Sequence, residues 1–160
     1  MLEDRPIVEI IYTEDYNLAE WGALAPATHG SAGFDVRACI DKNVVLRTGE
    51  IKLIPLGIKM HIFDPGIACV LLPRSGLGIK GLVLGNLVGL IDSDYQGVVT
   101  AIVWNRNFRE SFEDIIIKPG EKIAQAIFIP VIIPILIPVK SFITTDRGES
   151  GFGSSDTGVL

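Results

Sequence analysis

The sequence is short of the residues that staple small folds or hold metals. Its 160 residues include only two cysteines, Cys39 and Cys69, and two histidines, His29 and His61. The cysteines lie far apart and show no C-x-x-C spacing, so neither a disulfide framework nor a closed zinc site is expected, and a reducing, cytoplasmic setting is. Positive charge is also in deficit: 14 Lys plus Arg against 19 Asp plus Glu leave a formal charge of −5. A sequence-independent grip on nucleic acid needs a basic face that displaces phosphate counterions, so nucleic acid is not an expected partner. Any anionic ligand must meet a local cluster of arginine. The first dozen residues carry acids where a signal peptide carries bases, and no small-residue cleavage site follows. Long apolar runs are missing too, although mean hydropathy is +0.42. The strongest run, residues 127–139, is interrupted by Pro130, Pro134 and Pro138. It falls short of the roughly 18 to 20 residues that span a bilayer, so no membrane association is expected. A hydrophobic contact between subunits accounts better for the apolar stretch 123–139, because obligate interfaces resemble a core cut in half.

What the sequence does hold is short Ile- and Val-rich stretches at residues 7–12, 44–46, 51–54, 58–63, 68–72, 98–104, 115–117 and 123–129. Most are bounded by Gly, Pro, Asn or Asp, which is strand-and-turn punctuation. Helical periodicity is scarce, and only residues 75–80 offer a turn or two. Residues 68–72 and 123–129 are apolar without clean alternation, as in strands covered on both faces, the outer one in part by another subunit. The expected fold is an all-β, jelly-roll-like antiparallel barrel or sandwich that oligomerises. Residues 1–146 form its single domain. Residues 147–160 differ in kind: their glycines and serines suit a flexible C-terminal arm. Within that arm Arg147, Phe152, Gly153, Ser154 and Ser155 offer a cation, a stacking face and N–H and O–H donors fit for a nucleotide.

Polar residues interrupt the apolar pattern at four further places. Pro73-Arg74-Ser75-Gly76 follows a buried strand, and a phosphate would satisfy both Arg74 and Ser75, although Ser75 could also simply cap a short helix. In the hairpin-like stretch 85–97, three glycines allow close backbone approach to a ligand, and Asn86 supplies an amide that both donates and accepts. There Asp94-Tyr95-Gln96-Gly97 reads as a β-turn with Asp94 first, which leaves Asp92 for chemistry as a general base. Asp35 follows Gly33-Phe34 at a strand start, where on its own it is a surface acid. Gln125 brings an amide into an apolar strand, where lack of a partner would cost about 1–3 kcal/mol.

At these residues the sequence resembles the trimeric deoxyuridine triphosphate nucleotidohydrolase (dUTPase) family. Five segments follow the family's order: residues 32–38, 73–78, 85–97, 119–125 and 147–155. The resemblance implies a homotrimer with shared active sites that cleaves dUTP to dUMP and pyrophosphate by water attack on the α-phosphorus, keeping uracil out of DNA and supplying dUMP for thymidylate synthesis. It implies that Asp92 activates the water, that Asn86 with the backbone of Gly89, Leu90 and Ile91 reads uracil, and that Tyr95 lies against the deoxyribose and leaves no room for a 2′-hydroxyl. Arg74, Ser75, Gly76 and Gln125 would hold the phosphates. Arg147, Ser154 and Ser155 would close over the far end with Gly153, while Phe152 stacks on the base. Mg2+ would be held chiefly by the triphosphate, with Asp35 acting through water. The sequence departs from the family at Lys122, where many members carry Arg, and at Ser150 and Asp156, where Gly is usual. Two other readings compete: a dCTP deaminase-like enzyme of the same fold, which needs a Glu beside the pyrimidine that residues 85–97 lack, and a trimeric nucleotide-binding module without turnover.

Overall fold

A computed structural model describes residues 5–107 and 113–149. Eleven strands are present among them: β1 (Val8–Tyr12), β2 (Phe34–Arg37), β3 (Val44–Leu46), β4 (Ile51–Pro55), β5 (Ile58–Ile62), β6 (Ile67–Pro73), β7 (Leu82–Leu84), β8 (Gly89–Ile91), β9 (Thr100–Asn105), β10 (Ile115–Ile117) and β11 (Lys122–Pro130). Two single-turn helices join them, α1 (Leu18–Trp21) and α2 (Ser75–Gly78). Every strand pair is antiparallel, in the orders β1-β5, β10-β3, β2-β11-β6-β8 and β4-β9-β7. This is the expected all-β barrel. No helix among the described residues is long and apolar enough to cross a membrane.

The two-residue period of a strand sets which side chains enter the core. β5 and β9 alternate strictly, burying Ile58, Met60 and Ile62 from one and Ala101, Val103 and Asn105 from the other. Leu46, Ile54, Leu56, Leu84, Val99 and Ile117 complete the apolar centre. β6 buries Ala68, Cys69, Val70 and Leu71 in succession, so both its faces are covered, and they are covered within this chain. Cys39 and Cys69 are free and buried. Burial pushes the Cys69 thiol up to about 12, which makes it inert as a nucleophile.

The one fully buried polar side chain among the described residues, Asn105, holds three segments together. Its Nδ2 donates to the carbonyls of Leu46 and Glu113, both at 3.0 Å, and its Oδ1 accepts from the Asn107 amide at 3.1 Å. An apolar substitute would strand those backbone groups at a cost of about 1–3 kcal/mol.

The apolar stretch 123–139 divides at Pro130, which corrects the expectation of a single interface segment. Its first part is β11, a central strand with β2 on one edge and β6 on the other, so its hydrogen bonds and most of its apolar area are used inside the chain. Residues 131–139 leave the sheet without regular structure, and Ile132, Ile135 and Leu136 are 92%, 89% and 84% exposed. Phe142 and Ile143 continue the exposed apolar surface. For a single chain that is a large uncovered area of a kind that marks an interaction site.

Candidate active site

Arg74 stands where β6 ends and α2 begins. It occupies the helix N-cap position without making a side-chain cap, and Ser75 is the first helical residue, so the capping alternative for Ser75 does not hold. The guanidinium is instead held from beneath. Arg74 Nε pairs with Asp35 Oδ1 at 3.0 Å, and Nη1 donates to the Lys122 carbonyl at 2.8 Å. Lys122 Nζ pairs with Asp35 Oδ2 at 2.8 Å. Burial of the Asp35 carboxyl acts to raise its pKa, but the Lys122 hydrogen bond and the nearby Arg74 charge outweigh it and hold the group below the usual carboxylate range. Gln125, opposite Asp35 across the β11–β2 pairing, donates to the Pro73 carbonyl at 2.9 Å, which meets the need for a partner inside an apolar strand. Asp35, Arg74, Ser75, Gly76, Leu77, Lys80 and Gln125 line an open cleft of about 490 Å³. A cleft with two cations, a hydroxyl and the N–H groups of a tight turn suits a phosphate chain. Lys80 and Lys122 were not singled out by the sequence. Lys122 shows there only as a departure from a family pattern.

Residues 85–97 are not a paired hairpin, which corrects the sequence expectation. β7 pairs with β9 and β8 pairs with β6, so the chain crosses between two sheets at residues 85–88. The crossing is tight: the Leu87 amide donates to the Leu84 carbonyl at 3.0 Å and the Val88 amide to the Asn86 carbonyl at 2.7 Å. Leu87 has φ +63°, alone among described non-glycine residues in the left-handed region, a conformation that concentrates at functional loops. At Gly89 an added Cβ would press on Leu71 Cβ at 3.1 Å, and the side-chain nitrogen of Asn86 lies at ordinary contact distance, 3.5 Å, from the same position.

The turn after β8 also differs from expectation. The Tyr95 amide donates to the Asp92 carbonyl at 3.2 Å, so Asp92 opens the turn and Asp94 sits at its third place. Asp92 nevertheless remains available for chemistry, because it closes the turn with its backbone. Its carboxylate is exposed and takes no partner among the described residues. Tyr95 folds back over Gly97, donating to the Val98 carbonyl at 3.2 Å, and a Cβ on Gly97 would come within 2.5 Å of the Tyr95 hydroxyl. Asp92 faces a second cavity of about 630 Å³ with His61, Phe63, Ala68, Leu90, Ser93 and Ile133 among its lining residues.

The sheet register shows that one chain does not bring the two groups together. Ile91 pairs with Cys69, so Asp92 continues alongside Ala68, and the two share a cavity. Arg74 lies six positions further along the same run of chain, roughly 20 Å away at the ~3.3 Å rise of a strand. No residue of 85–97 lines the Arg74 cleft. Arg147, in the arm, is described and exposed, and the Gly148 amide beside it donates to the Thr145 carbonyl at 3.1 Å. Phe152, Gly153, Ser154 and Ser155 lie outside the described residues. No group of three or more His, Cys, Asp or Glu able to hold a metal ion occurs among the described residues. Both Asp35 oxygens already face cations.

An all-antiparallel barrel carries an arginine cleft at one end of β6 and, beside the other end, an exposed carboxylate with no partner among the described residues, two polar surfaces of the kind that receive a charged ligand. Comparison with known proteins narrows the reading. The dUTPase family model matches residues 19–156. The deoxyuridine 5'-triphosphate nucleotidohydrolase of Klebsiella pneumoniae is 58% identical over 130 residues, covering 81% of this chain and 83% of its own. The Escherichia coli protein of the same name is 57% identical over the same length. Among solved structures, a dUTPase of phage 80alpha superposes with a TM-score of 0.75 at 25% identity, covering 93% of this chain and 98% of its own. The chain belongs to the dUTPase family.

Proposed function

We propose that this protein is a dUTP diphosphatase that hydrolyses dUTP to dUMP and pyrophosphate by water attack on the α-phosphorus. The observation that carries the reading is the match to the family across residues 19–156, a span that includes both the Arg74 cleft and the Asp92 loop. It favours neither a deaminase nor a module without turnover. In this reading Asp92 orients and deprotonates the attacking water, which suits an exposed carboxylate with no partner among the described residues. Asn86 and the backbone of Gly89, Leu90 and Ile91 read the uracil edge, and Tyr95, seated on Gly97, borders the sugar. Arg74, Ser75, Gly76 and Gln125 hold the phosphates. Residues 1–146 act as the catalytic domain and 147–160 as a closing arm, with Arg147, Gly153, Ser154 and Ser155 on the phosphates and Phe152 on the base.

Mg2+ fits this donor set as a passenger on the triphosphate, where it neutralises charge. A carboxylate has about four acceptor positions, so Asp35, with one cation on each oxygen, can still accept from water around that ion without being a direct ligand. A phage phi11 relative is described with a structural Mg(II) ion.

We further infer a homotrimer whose sites are shared between chains. Two observations support it: the roughly 20 Å between Asp92 and Arg74 along one chain, and the exposed apolar surface of residues 131–143. A cytoplasmic location accords with two free, buried thiols.

Pyrophosphate release with Mg2+ and four nucleotides tests the activity. Turnover of dUTP should exceed that of UTP, dCTP and dTTP by ~10²-fold or more, since a wrong base leaves site hydrogen bonds unpaired and an added methyl or hydroxyl collides. Tyr95→Ala should narrow the gap between dUTP and UTP. Comparable turnover of UTP by the unaltered protein would defeat the role given to Tyr95.

A further inference from the structure

Resting on the phosphate-clamp reading of Arg74, we infer that Lys122 is a positioning residue that holds Asp35 and Arg74 in the binding geometry before the nucleotide arrives.

The strand register sets where Lys122 points. Gln125 pairs with Asp35 and Ala124 with Val36, but Lys122 pairs with Arg37, so one extra residue is inserted between Lys122 and Ala124. Ile123 and Ala124 are buried in succession, as strict alternation would forbid. The bulge turns Lys122 away from the core and onto the face that carries Arg37 and Asp35. If residues 122–125 alternated strictly, with no bulge, the ammonium would head into the apolar interior.

On that face Lys122 acts twice. Its Nζ takes Asp35 Oδ2 at 2.8 Å, fixing the carboxylate so that Oδ1 can take Arg74 Nε at 3.0 Å. Its carbonyl takes Arg74 Nη1 at 2.8 Å. Two of the five guanidinium N–H groups are thereby tied to the scaffold, and three remain for the cleft shared with Ser75 and Gly76. Lys122 does not line that cleft. Its role is to keep a long, rotamer-rich arginine from having to be ordered at the moment of binding.

Steady-state kinetics on dUTP tests this with Lys122→Met, Lys122→Gln and Lys122→Arg beside Arg74→Ala. Removing the ammonium leaves Arg74 on the residue-122 carbonyl but on an Asp35 carboxylate no longer fixed from its other oxygen, so part of the ordering cost falls on binding. KM should rise ~10-fold in the Met and Gln variants while kcat stays within ~3-fold, because the bound triphosphate then orders the arginine itself. Lys122→Arg, which keeps a cation on Asp35, should restore KM to within ~3-fold of the parent. A role confined to stability would lower the melting temperature of the Met and Gln variants without moving KM. That result, with Arg74→Ala severely impaired, would overturn the inference and leave the clamp standing. Failure of Lys122→Arg to recover would also overturn it. An Arg74→Ala enzyme that binds and turns over normally would overturn the clamp, and the positioning role with it.

Discussion

Asp92→Asn lowers kcat by ~10²–10⁴, the usual worth of a positioned general base, with little change in fold or in substrate affinity. Structure makes this substitution a clean one. Asp92 closes its turn through the backbone carbonyl, which accepts from the Tyr95 amide at 3.2 Å, and Asn is as well suited as Asp to the opening place of a turn. The carboxylate itself takes no partner among the described residues, so the amide leaves no buried group unsatisfied. What is lost is the capacity to accept a proton. Rapid-quench or steady-state measurement of dUMP formation, with circular dichroism as the check on fold, reads the effect. A kcat within a fewfold of the parent would make Asp92 a turn residue and nothing more.

Arg74→Ala damages affinity and rate together, lowering kcat/KM by ~10²–10³, the scale set by removing one donor aimed at developing charge. The arginine is held by Asp35 and by the Lys122 carbonyl, so its remaining N–H groups can bind the phosphates in the ground state and take up more strongly the charge that develops on them in the transition state. Asp35 keeps Lys122 as a partner when Arg74 is gone, and the carboxylate is therefore not stranded. This separates the variant from Lys122→Met, whose expected effect lies in KM alone. A rise in KM with unchanged kcat on losing Arg74 would reduce its role to uniform binding.

The sequence made the frame legible where the apolar runs were bounded by turn residues. β3 and β10 fall on the expected residues 44–46 and 115–117. β7 and β8 do not stand out in the sequence, because Gly81, Gly85 and Gly89 punctuate two three-residue strands whose pairing partners are β9 and β6. α1 is a single turn held by Asn17 and Glu20, too short to carry a helical period. Within the site, residue types were legible and their arrangement was not. Asp-Ser-Asp-Tyr and Asp-Tyr-Gln-Gly are both acceptable turns, and the choice between them is made by the β6–β8 pairing. Lys122 gave no signal of its own, because its place on the Asp35 face depends on a bulge that no residue pattern announces. The separation of Asp92 from Arg74 is likewise a property of register. That separation is the observation on which the proposal of a shared site rests.

The central claim is that a working site takes Asp92 from one chain and Arg74 from another, and mixing two inactive variants tests it most directly. Asp92→Asn and Arg74→Ala are unfolded together in equal amounts, refolded, and shown by native mass spectrometry to have formed mixed oligomers. With random mixing, about a quarter of sites, one half times one half, draw both intact residues from different chains. The account predicts dUTP hydrolysis near a quarter of the unaltered protein's activity. Activity no higher than that of the separate variants, with mixed oligomers present, would place both residues in one chain's site and contradict it.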